Sequence, residues 1–275
     1  MKKKIAFLCA VLCFSFVIPT KKVKAFVPNA AHLLYLVVKK IKRPAGLKVL
    51  QTKVFENQED IDGNPFEIKE RIFYLSYNKL RSDIISNTKS NKSFSVESDF
   101  KFIKVIDDNI VSYEKEFIDI YTDILLYRDY KILLEQLLKK GIDTKQVSFQ
   151  RHNDTICYLI GKPSDKKKYY DETINKNQKE NEFSGLWIEK ETLFPIKYVL
   201  KIKKKKIEYL YENWRSVSRT WYPNKVSIIV DNRLFATIGV NSFKLKSDFS
   251  SSLFDIKKIE ESHTNKIFDN LDIIF

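Results

Sequence analysis

Few side chains in this sequence have the type and spacing that chemistry requires. His32, His152 and His263 stand far apart, none paired at metal-ligand spacing. Cys157 lies in the apolar run Thr155-Ile156-Cys157-Tyr158-Leu159, where a buried structural thiol is expected. The adjacent carboxylates Asp107 and Asp108 could share acid–base work, but they separate two alternating segments and read better as a hairpin turn. Gly-x-Ser-x-Gly and His-Glu-x-x-His are absent, and six glycines in 275 residues could hardly build a phosphate-cradling loop. The residues therefore predict no enzyme, no metal and no cofactor, and they direct attention to binding.

Met1–Ala25 reads as a cleavable secretory signal: Lys2-Lys3-Lys4, the apolar run Ile5–Ile18, Pro19 and a Val23-Lys24-Ala25 site. The run is about 14 residues long, short of the roughly 20 that a spanning helix needs. Leu12 stands before Cys13, where lipid attachment would want a small residue, so an acylated start is not expected. The signal carries Lys2, Lys3, Lys4, Lys21, Lys22 and Lys24, so much of the formal charge of +14 leaves with it. The remaining lysine runs, at 166–168, 176–179 and 203–206, read as solvated loops, with an anionic partner such as lipid headgroups as the alternative; export disfavours nucleic acid. Cys157 then has no disulfide partner, so residues 26–275 must stand on their core, as a single domain.

The elements follow from pattern. Asn29 caps a helix with the stripe Leu33, Leu34, Val37, Val38 and Ile41. Strands are expected at Leu47–Glu56, Phe66–Tyr77 and Arg81–Ser86, then a hairpin of Phe100–Ile106 and Ile110–Glu114. Phe117–Lys140 has neither Gly nor Pro before Gly141 and is apolar on more than one side, either one long covered helix or two pieces kinked onto a sheet. Strands resume at Gln146–Gln150 and Thr155–Ile160, 162–182 is a charged excursion, and Gly185–Val230 alternates like an antiparallel meander. In it Ile196, Tyr198, Leu200 and Ile202 fall on one face, with Tyr209 and Tyr211 repeating the pattern, while Lys197, Lys201 and Glu208 fall on the other. The turn after that aromatic strand is placed at Arg219–Asn224, with Pro223 ahead of the next strand.

Three stretches, Phe73–Asp83 (FYLSYNKLRSD), Phe102–Glu114 (FIKVIDDNIVSYE) and Gly185–Val230 with the closing Ser252-Leu253-Phe254, resemble the LolA-like family of periplasmic lipoprotein carriers. The resemblance spans roughly 33–256 and implies a mainly β fold with some α. The fold would be a single open, curved antiparallel half-barrel of about eleven strands, its concave apolar face covered by helices. It also implies the function: carriage of lipoprotein acyl chains, or other lipids, through the periplasm to the outer membrane by a monomer. An inner-membrane exporter and an outer-membrane receptor would be its partners. Three acyl chains carry on the order of 45 methylenes, about 35 kcal/mol of exposed apolar surface, so such cargo requires a carrier. On this reading Ile196, Tyr198, Leu200, Ile202, Tyr209 and Tyr211 line the lipid cavity, and Tyr121, Ile124 and Leu125 belong to its lid. Arg81 matches by position an arginine that closes the lid in the family's best-known branch; a solvated strand-end arginine is the alternative. Two other readings use the same fold, an envelope-stress sensor and a non-carrier scaffold with a filled interior. A cavity of some hundreds of cubic ångströms would favour carriage over the scaffold.

Overall fold

The computed structural model describes residues 27–41, 46–60, 63–75, 78–85, 93–127, 129–161, 183–245 and 249–265; the expected signal and the charged 162–182 segment lie outside them. Helix α1 (Ala30–Ile41) starts at the expected cap, where Asn29 Oδ1 accepts from the His32 backbone N–H at 2.8 Å. Six strands follow: β1 (Leu47–Glu59), β2 (Pro65–Leu75), β3 (Lys79–Ile84), β4 (Ser93–Ser98), β5 (Lys101–Ile106) and β6 (Asn109–Ser112). A 3₁₀ turn (Phe117–Thr122), α2 (Asp123–Leu126) and α3 (Tyr130–Lys139) come next. Then come β7 (Val147–His152), β8 (Thr155–Gly161), β9 (Gly185–Glu189), β10 (Pro195–Ile202), β11 (Lys205–Val217), β12 (Thr220–Val230) and β13 (Arg233–Leu245). A 3₁₀ turn (Ser251–Phe254), α4 (Ile256–Ser262) and β14 (Thr264–Asn265) end the described chain.

Among the described residues the fourteen strands form one open, curved sheet in the order β14-β6-β5-β4-β3-β2-β1-β13-β12-β11-β10-β9-β8-β7. Every pair is antiparallel except β14 with β6. The chain leaves β6 near one edge and re-enters at β7 on the other, so the segment from Phe117 to Lys139 has to cross the sheet; it does so over the concave face. This crossing is why a helical cover lies there.

The two-residue turns account for the meander. Asp99-Phe100, Asp107-Asp108, Asn153-Asp154, Ser218-Arg219 and Asp231-Asn232 each have positive φ at both positions, the mirror-type turn whose twist matches paired strands. Asp107-Asp108 is therefore a turn, as expected. The turn ending β11 lies at Ser218-Arg219, earlier than the sequence suggested, and Pro223 sits inside β12. There the proline is tolerated because β12 pairs with β13 only from Lys225 onward, leaving a locally unpaired side for a residue without an N–H.

Of the two forms expected for Phe117–Lys140 the structure takes the broken one: the backbone turns extended at Tyr127 and Asp129, and Asp129 recaps α3 by accepting from the Lys131 N–H at 2.8 Å. The strand count exceeds about eleven partly because Ser93–Ser98 forms β4, a segment with only Phe94 and Val96 as apolar residues.

The main core fills the concave side. A second core lies on the convex side, where Val96, Ile103, Val105 and Ile110 pack with Phe254, Ile256 and Ile259 from the C-terminal segment.

Candidate functional site

The concave face divides into two halves of opposite chemistry. In the half built from β9 to β12, Tyr198, Leu200, Tyr209 and Tyr211 are all buried and share the main core, with Ile202 half-buried against it. The β10–β11 register pairs Tyr198 with Tyr209 and Leu200 with Ile207, and the two tyrosine rings lie 5.6 Å apart. Ile196 falls at the register irregularity between Pro195 and Lys197, and it is absent from the residues that pack on this core. Tyr121, Ile124 and Leu125, expected in one lid helix, lie on the 3₁₀ turn and α2 and are buried against the same core. Tyr209 Oη donates to the Phe117 carbonyl at 2.7 Å and Tyr211 Oη to the Tyr121 carbonyl at 2.8 Å, so the sheet grips the cover through two phenols. Tyr198 Oη has no hydrogen-bond partner. Burial holds all three phenols well above their ordinary pKa, so they are neutral.

Beneath the cover on β1 to β5 the same face is ionic, which sequence reading missed. Lys53 Nζ reaches Asp119 at 2.6 Å and Glu70 at 3.2 Å. Glu70 also accepts from Gln51 Nε2 at 2.7 Å and from Ser82 Oγ, and Gln51 donates in turn to Tyr121 Oη at 2.7 Å. Lys115 bridges Glu97 and Asp123, each at 2.7 Å, Lys140 adds a second cation to Asp123 at 3.1 Å, and Lys104 pairs with Glu116. Burial alone would lower the pKa of Lys53 and Lys115, but the paired carboxylates more than reverse it; Asp119 is pulled below the usual carboxylate range despite its burial. These contacts tie Lys115–Asp123 of the covering chain to the sheet. The signal was hidden because neither alternating face of Leu47–Phe55 is purely apolar: Gln51 and Lys53 follow Leu47 and Val49 on the inner one.

Arg81 points the other way. Its Nε holds Asp83 at 2.6 Å, its guanidinium lies 4.1 Å from the Phe94 ring centroid, and Nη1 donates to the Leu253 carbonyl at 3.4 Å. It anchors the C-terminal segment on the convex side, and the grip on the cover belongs to Lys53 and Lys115. On the convex face of β10 and β11, Glu208 is clamped between Lys197 at 2.8 Å and Lys206 at 2.5 Å, so it faces outward as expected yet is buried under the lysines. Burial, with Glu189 beside it, pushes the Cys157 thiol up to about 11, an inert structural state.

A cavity of about 70 Å³ lies between the ionic half and the cover, lined by Lys53, Glu70, Ser82, Ser95, Lys104 and Asp119 with apolar neighbours such as Phe55 and Ile118. That is far below the several hundred cubic ångströms of a lipid-sized pocket. In the apolar half Tyr198, Leu200, Tyr209 and Tyr211 are buried against one another and the cover. Among the described residues no group of three or more His, Cys, Asp or Glu is placed to hold a metal ion, and no helix is long and apolar enough to cross a membrane.

An open, curved antiparallel sheet crossed on its concave face by a broken helical cover defines the LolA-like class of folds. Solved structures bear this out. One is a putative outer membrane lipoprotein-sorting protein domain from Vibrio parahaemolyticus (8% identity, TM-score 0.54, covering 84% of this chain and 97% of that one). A second is a DUF1329 family protein from Desulfovibrio piger (10% identity, TM-score 0.51, covering 85% and 100%). A third is a LolA superfamily protein from Nitrosomonas europaea (10% identity, TM-score 0.50, covering 83% and 98%). No protein-family model and no curated protein matches the sequence. At such identities the likeness establishes the fold alone.

Proposed function

We propose that the protein is a periplasmic carrier that holds acyl chains, of lipoproteins or of other lipids, against the apolar half of its concave face and passes them toward the outer membrane. The observation that carries this reading is the asymmetry of the cover. Its first part, 115–126, is held by buried ion pairs and phenol hydrogen bonds, whereas α1 and α3 seal the remainder through the apolar stripes Leu33, Leu34, Val37, Leu133 and Leu137. An apolar seal can be exchanged for acyl chains with little net loss, because one buried apolar surface replaces another. The described conformation is closed, and carriage requires α1 and α3 to move off the sheet. Exporter and receptor partners belong to this reading.

The burial of Tyr198, Tyr209 and Tyr211 in the main core favours a second reading, a scaffold in which the same aromatics are permanent core. Lipid extraction from protein purified without detergent, analysed by mass spectrometry and paired with titration of a fluorescent acyl probe, separates the two. Bound lipid or saturable probe binding is expected of the carrier. Neither would leave the scaffold.

A further inference from the structure

We propose that the outer surface of the helical cover is a docking face for an anionic lipid bilayer, an inference that stands whether or not acyl chains enter the sheet. α1 and α3 pack side by side, with Tyr35 set edge-on to Tyr130 at 5.9 Å, and both turn their buried stripes toward the sheet. Their outer sides carry exposed apolar groups: Tyr35 is 43% and Leu138 50% exposed, with Leu36 half-buried. Cations frame these residues. Lys39, Lys131 and Lys139 are exposed, and Lys39 Nζ sits 5.8 Å from the Tyr35 ring centroid. In the two helices Glu135 is the lone acid, and Lys139 neutralises it at 2.9 Å.

Aromatic and aliphatic side chains ringed by lysines fit a bilayer interface, where apolar groups enter the headgroup boundary and lysine stems lie along it with their charges among anionic headgroups. An acidic protein partner would use the lysines but has no need of an exposed Leu138. The charge on the patch therefore selects anionic over zwitterionic lipid.

The test is sedimentation of the purified protein with phosphatidylglycerol/phosphatidylcholine vesicles against pure phosphatidylcholine vesicles, at low and high salt. Binding to the anionic vesicles alone, weakened by salt, is expected. Lys39→Glu with Lys131→Glu should lower the partition coefficient by at least roughly 25-fold. Leu138→Glu should lower it about tenfold. Lys101→Glu with Lys258→Glu removes the same charge from exposed sites off the cover and controls for net charge; a change under about threefold is expected. Absence of binding to anionic vesicles, equal binding to both lipids, or equal loss in the control pair would overturn the proposal. Acyl-probe binding, measured without vesicles, should be untouched by all three variants, so the docking face and the carrier reading fail separately.

Discussion

Lys53 neutralises two carboxylates in the interior, and its removal leaves Glu70 and Asp119 charged without that cation. Lys53→Met is expected to lose roughly 3–5 kcal/mol in urea denaturation. Replacing Lys53, Glu70 and Asp119 together by apolar residues of similar volume should restore most of it; a loss under about 1 kcal/mol in the single variant would show that water reaches the cluster. The buried phenols set the pH response. Tyr121, Tyr127, Tyr198, Tyr209 and Tyr211 have folded pKa values raised by burial, so their contribution is complete below pH ~10, where the unfolded chain's tyrosines begin to ionise. Above that pH the unfolded state loses protons that the native state keeps, and stability falls by up to about 1.4 kcal/mol per pH unit for each phenol. Lys53 and Lys115, also raised, act in the same direction. Circular dichroism from pH 8 to 12 should show cooperative alkaline unfolding; a flat profile would mean that the phenols are solvated. Leu200, 1% exposed, and the exposed Lys201 test the cavity face. Leu200→Glu should abolish acyl-probe binding, since a buried carboxylate costs several kcal/mol or takes up a proton. Lys201→Glu should change it by under about 0.5 kcal/mol. Equal loss in the two variants, each folded by circular dichroism, would sink that assignment. At this scale the aromatic positions were legible because Tyr198, Leu200, Tyr209 and Tyr211 alternate cleanly; Lys53 and Glu70 were not, because an inward charge in a strand is indistinguishable from an outward one until its partner is placed.

Elements were legible where local chemistry decides them. Asn29 announced α1, and the turn at Asp107-Asp108 announced β5 and β6. Pattern left the cover as either one helix or two pieces, because the apolar residues on both sides of Asp129 run on without interruption although Asp129 is a favoured N-cap type. Asp129→Ala should cost α3 about 1 kcal/mol, read as a lowered thermal midpoint. β4 was missed because its inner positions are Ser93, Ser95 and Glu97, polar residues facing the ionic half of the interior. The charged excursion leaves and rejoins the sheet at the paired Gly161 and Gly185. At Gly161 a Cβ would meet the Ser184 carbonyl oxygen at 2.8 Å on a backbone with φ +138°.

As a whole the molecule is a sheet with a core on each face, and only the concave one was foreseen. The convex core depends on Ser251–Ser262, whose sequence carries no signal of which side of the sheet it will take. Phe254 is 1% exposed there. Phe254→Ala should lose about 3–5 kcal/mol in urea denaturation yet leave acyl-probe affinity per folded molecule unchanged, because the sheet separates it from the cover. A drop in affinity would mean that the two faces are coupled through the strands. The strand order also has a consequence in time. β1 and β13, from opposite ends of the chain, meet in the middle of the sheet, with Leu47 opposite Leu245. During synthesis β1 is among the first strands made, and its central partner is nearly the last. Until β13 arrives, one side of β1 offers unpaired N–H and C=O groups to any passing strand. Refolding should therefore be slow, in the millisecond-to-second range, with closure of this long-range pair as its final event.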